Sequence, residues 1–162
     1  MTGRALVLTL LFAPLSLAAA LGAEGEPVAS ADFALRRIAP REAFAPLRSF
    51  AGATEIDLID AATVRVHGPA AVLARAGTVI ELLELPSEPA GEPALRELAD
   101  GTRLARVALG EVPAREAVTA LRQLRVGGIA VFDEGAALLL HDTAPQIDAA
   151  LARLARLARE RP

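Results

Sequence analysis

The sequence predicts an α+β fold: two tandem small β-α-β-β-α modules placed after a signal peptide. Three observations predict it. The first 23 residues have the charge and hydropathy order of an export signal. The stretch Arg41-Glu42-Ala43-Phe44-Ala45-Pro46-Leu47-Arg48 recurs as Arg115-Glu116-Ala117-Val118-Thr119-Ala120-Leu121-Arg122, inside a longer series of matching apolar anchors. A segment rich in Pro, Gly and Glu separates the two copies.

Composition bounds the problem. The chain has 162 residues, of which 53% are hydrophobic, so core material suffices for one ordinary domain or two very small ones. Aromatics are only 3%, with neither Trp nor Tyr, which leaves the packing to Leu, Val, Ile and Ala. The 23% charged content is that of an ordered protein, not a disordered one. A net charge of −3 argues against nucleic-acid binding, which leaves a positive footprint. With no Cys, disulfides, thiolate metal sites and cysteine nucleophiles are excluded.

In chain order, residues 1–23 form the expected signal peptide. Arg4 and the amino terminus supply the positive end, Ala5 to Leu17 the apolar run, and Ala20, Gly22 and Ala23 alternative cleavage positions. The competing uncleaved anchor is disfavoured because Ala5 to Leu21 is short for a membrane span and holds Pro14 and Ser16. The expectation is a periplasmic or otherwise exported protein with no integral membrane span after cleavage.

The first repeat covers residues 32–85. A short strand carries Phe33 and Leu35, and a helix starting near Pro40 buries Phe44 and Leu47. Ile56 and Leu58, then Val64 and Val66, alternate along two strands joined at Asp60-Ala61-Ala62. Val72, Leu73, Ala76, Val79, Ile80 and Leu83 then trace one helical face. Gly77, Thr78 and Val79 weaken that helix, and a strand over 78–85 is the alternative. The matching stretch Pro145 to Ala158 has no such weakness and decides for helix. Residues 86–101 are the expected linker, with one helical turn over Ala94-Leu95-Arg96-Glu97-Leu98. The second repeat, residues 102–159, repeats the order: Val107 and Leu109 on a strand, Val118, Leu121 and Leu124 on a helix from Pro113, a hairpin turning at Asp133-Glu134-Gly135, and the last helix.

This order resembles the short repeat domain that precedes the channel domain in bacterial secretins (the NolW-like type). In the second copy Asp133-Glu134, Leu138 and the run Leu139-Leu140-His141-Asp142-Thr143-Ala144-Pro145 carry the resemblance, with Ala137 where the family often has Asn. The first copy keeps Asp60, Val64 and Pro69 but lacks the Glu and the Asn. The resemblance implies a small sheet with two helices on one face and a role in protein–protein contact. It suggests a non-enzymatic adaptor or assembly factor whose partner is a secretin or an inner-membrane secretion or pilus component, or a homo-oligomer. With the sequence ending at Pro162, no channel-forming region is expected. The alternative is a module that binds peptidoglycan or lipid head groups.

Candidate chemistry is sparse. His67 and His141 hold matching positions, but a metal site using both with Asp142 would draw ligands from two repeats across a linker, and zinc needs three or four at close range. Glu55 and Asp57 fall on the solvent side of their strand, opposite Ile56 and Leu58, and with Asp60 are expected to be a solvated acidic face. Ser30, Ser49 and Ser87 lack a nucleophile motif. Gly127-Gly128 is not the Gly-x-x-Gly of RNA-binding KH domains. No catalytic residue, cofactor or metal is therefore expected, and no nucleic-acid partner. Ile59, Phe132 and Leu139 are expected to contribute to a partner or inter-module surface, and Arg153 and Arg156 to a basic stripe on the last helix.

Overall fold

A computed structural model describes residues 28–86 and 92–161. The expected signal peptide lies outside the described residues, as does most of the Pro-rich stretch after Pro86. The described residues form a mixed α+β fold with two sheets.

The first sheet is built from β1 (Ala29–Ala34), β2 (Glu55–Leu58) and β3 (Thr63–Gly68), in the antiparallel order β1-β3-β2. Between β1 and β2 lies α1 (Pro40–Pro46), which begins on a proline and runs into a π-helical turn, Leu47–Ala51. Gly52 ends that turn at φ +74°, a left-handed geometry that costs glycine nothing. After β3 comes α2 (Ala70–Leu83), so residues 78–83 are helical. Glu84 caps it by donating its N–H to Ile80 O (2.9 Å), and its carboxylate accepts the N–H groups of Arg36 (2.8 Å) and Arg37 (3.1 Å), which pins the loop ahead of α1.

The second sheet has four strands: β4 (Ala94–Glu97), β5 (Thr102–Ala108), β6 (Gly128–Phe132) and β7 (Ala137–Thr143), ordered β4-β5-β7-β6 and all antiparallel. Helices α3 (Ala114–Gln123) and α4 (Ala144–Arg159) follow β5 and β7. The pairing β5-β7-β6 is that of β1-β3-β2, with β4 added at one edge.

The helical turn expected over 94–98 is thus corrected to a strand. Its residues favour helix by a few tenths of a kcal/mol each, about 1–2 kcal/mol in all. Four register positions against β5, from Ala94↔Arg106 to Glu97↔Arg103, outweigh that preference by supplying backbone partners. Ion pairs lash the strand from both sides: Arg96 to Glu81 of α2, and Glu97 to Arg103 at 2.5 Å.

A second correction concerns the layers. Among the described residues, helices cover one face of the first sheet and both faces of the second. One core joins Leu35, Val64, Val66, Ala76, Val79 and Leu83 of the first half to Leu104, Phe132, Ala137 and Leu139 of the second. The other core lies beneath α3 and α4 and holds Ala105, Leu121, Leu138, Leu140, Ile147 and Leu154. The order through the molecule is sheet, α1 and α2, sheet, α3 and α4. Leu82, fully buried although it is off the helical face read from the sequence, reflects α2 lying between two sheets. Leu138, Leu139 and Leu140 are all 0% exposed because β7 is covered on both sides.

Candidate functional site

Alternation along the first sheet leaves a polar outer face. Val64 and Val66 point to α1 and α2, so Arg65 and His67 point away from them. Register then decides the neighbours. Asp32, Arg65 and Asp57 lie side by side across the three strands, and Ser30, His67 and Glu55 form the next row. Arg65 donates to both oxygens of Asp32, at 2.6 and 2.7 Å. That fork holds the Asp32 carboxyl below its ordinary pKa and raises that of the guanidinium.

Diagonally across β2 and β3, His67 Nε2 lies 3.0 Å from Asp57 Oδ2. With Glu55 opposite His67, these residues each offer one ligand atom, and the atoms all lie within 4.8 Å of one another. Glu55 and Asp57 are exposed, as alternation predicts, and His67 is half-buried. A metal reading based on both histidines fails: His67 stands with two carboxylates of its own sheet.

His141 has the matching place on β7 but a different environment. It faces the first half, its ring 5.9 Å from that of Phe50 in the π-helical turn after α1. Its Nε2 lies 2.8 Å from the hydroxyl of Thr102, which donates to Asp100 at 2.5 Å, and Asp100 in turn holds Arg75 of α2 at 2.5 Å. Desolvation pushes the His141 pKa down, Asp100 opposing and Arg75 adding to the shift. Asp100 itself is lowered to about 2, first by the Thr102 hydroxyl and then by the Thr102 N–H.

The residues expected to form an interaction surface separate. Phe132 (3% exposed) and Leu139 (0%) are interior, packed between the second sheet and the first half, and are not open to an outside partner. Ile59, just after β2, is 44% exposed. Arg156 is exposed and paired with Glu160 at 2.7 Å, while Arg153 is half-buried beside a groove.

That groove, about 470 Å³, runs between α3 and α4. Pro113, Ala120 and Leu157 are its apolar walls, and Arg115, Glu116, Thr119, Gln123 and Arg153 its polar ones, with Glu116 paired to Arg161. Sequence reasoning found Arg153 but not Arg115, whose relation to it depends on how α3 packs on α4. A second groove of about 390 Å³, lined by Val107, Leu109, Leu151 and Ala155, lies between β5 and α4.

A scan against protein-family models finds no match to this chain, and a search of curated proteins finds no significant relative. Among the described residues, no helix is long and apolar enough to cross a membrane.

Proposed function

We propose that the chain is a non-enzymatic interaction module of the cell envelope, an adaptor or assembly factor that grips an acidic, partly apolar segment of a partner protein. The observation that carries this reading is the α3–α4 groove, where two guanidinium groups, Arg115 and Arg153, flank an apolar wall. Guanidinium groups recognise carboxylates by paired hydrogen bonds, and Ala120 and Leu157 offer contact to the aliphatic part of such a segment. The secretin-like order β-α-β-β-α supports contact with a secretin or an inner-membrane secretion or pilus component, and the signal-like N-terminus supports export.

The test places a photo-crosslinking residue at Gln123 in cells and identifies the captured peptide by mass spectrometry. The expected result is an acidic segment of one envelope protein, whose purified complex is weakened at least tenfold by Arg115→Glu with Arg153→Glu. Capture of only peptidoglycan or lipid would replace the reading with envelope binding. Affinity unchanged by the double charge reversal would remove the groove from it.

A further inference from the structure

We propose that Glu55, Asp57 and His67 bind one divalent transition-metal ion, with zinc the best match to the donor set. One imidazole nitrogen and two carboxylate oxygens suit zinc, and the carboxylates supply the negative charge that a dication needs. The geometry is close to assembled. His67 Nε2 and Asp57 Oδ2 are 3.0 Å apart, and no pair of the donor atoms is separated by more than 4.8 Å. Bond lengths of about 2.0–2.1 Å make the edge of a zinc tetrahedron roughly 3.3 Å. Closing the remaining gap is a matter of rotating the Glu55 and Asp57 side chains, both exposed.

Two features of the sheet favour the site. Its donors sit on paired strands, with Glu55 directly opposite His67 and Asp57 opposite Arg65, so the backbone registers them before any ion arrives. Arg65, opposite Asp57, is held in the two-point fork to Asp32 on the far strand, and Asp57 remains directed at His67. Three protein ligands leave a coordination position open to water. The second sheet offers a natural contrast: His141 has Gly128 where His67 has Glu55, and its ring packs on Phe50.

The test is isothermal titration of the purified protein with zinc chloride, with magnesium chloride as the oxygen-preferring control. One zinc per chain is expected, and no magnesium. His67→Gln and Glu55→Gln each lower zinc affinity at least tenfold, and His141→Gln leaves it unchanged. Substitution of cobalt for zinc gives a visible d–d absorption that His67→Gln abolishes. Because His67→Gln and Glu55→Gln alter only the outer face of the first sheet, their circular dichroism should match that of the parent. If a variant fails to fold, the parent's own histidine ring resonances decide: zinc must move those of His67 and not those of His141. Absence of stoichiometric zinc binding overturns the proposal, as does binding that survives His67→Gln or resonances that shift only at His141.

Discussion

At the residue scale, Gly128 shows how closely the halves approach. A Cβ built there would stand 2.6 Å from Cε1 of Phe50 and 3.1 Å from Cβ of His141. The Phe50 ring is buried in the core shared by both halves, so it has little room to retreat. Gly128→Ala is expected to cost about 1–3 kcal/mol, the usual range for overpacking. Urea denaturation would show it as a lower midpoint, whereas Gly52→Ala would act through backbone strain alone. The sequence displayed Gly127-Gly128 but gave no sign that an aromatic from the other half lies over it.

His141 adds a pH dependence at the same scale. Burial lowers its pKa from the ordinary 6.5, so as pH falls the unfolded chain takes up this proton before the folded chain does. The contribution is fully present above pH 6.5 and is lost as pH falls through the lowered value. Its surroundings include Asp100, Arg75 and Asp142, the carboxylates opposing the shift. The urea midpoint should drop between pH 7.5 and 5.5, and the drop should shrink in His141→Gln. An unchanged drop would place the effect elsewhere. That the two histidines match was legible in the sequence; that one is covered and the other faces water was not, because the covering layer comes from residues far away in the chain.

At the element scale, β4 is where local preference and pairing disagree. Ala, Leu, Arg and Glu are all good helix formers, yet the segment extends along β5. No periodicity over four residues separates the two outcomes, so this strand was beyond reading from the sequence. The other strands and helices were legible through proline starts, period-two alternation and helical stripes, with α2 settled by its match to α4, while the π-helical turn after α1 had no sequence signal. Arg103 reaches Glu97 at 2.5 Å and Asp148 at 2.8 Å, tying the edge strand to α4 through one guanidinium. Such solvent-screened pairs add little to stability. Hydrogen exchange should find β4 amides protected, and Arg103→Ala should speed their exchange by no more than several-fold. Exchange at the rate of an unstructured segment would refute the strand. The outer-face cluster was half legible: alternation exposed Glu55 and Asp57, but only the β2–β3 register puts them beside His67.

At the scale of the whole molecule, the repeat visible in the sequence concealed a shared interior. Leu104, Phe132, Ala137 and Leu139 rest on residues of the first half. Residues 92–161 expressed alone would expose those side chains. That fragment should bind a hydrophobic dye and melt with poor cooperativity, while the full chain melts in one transition. A fragment as cooperative as the parent and silent to the dye would show that the halves are independent. Leu139→Ala in the full chain should cost about 2–5 kcal/mol, as a fully buried leucine does. The layered order has a further consequence for growth. A third copy could extend the series at one end by laying its sheet on α3 and α4, or at the other by laying its helices on the free face of the first sheet. There Asp32, Arg65, Asp57, His67 and Glu55 would have to give up water, so that face terminates the stack, and the two halves, alike in topology, are no longer interchangeable.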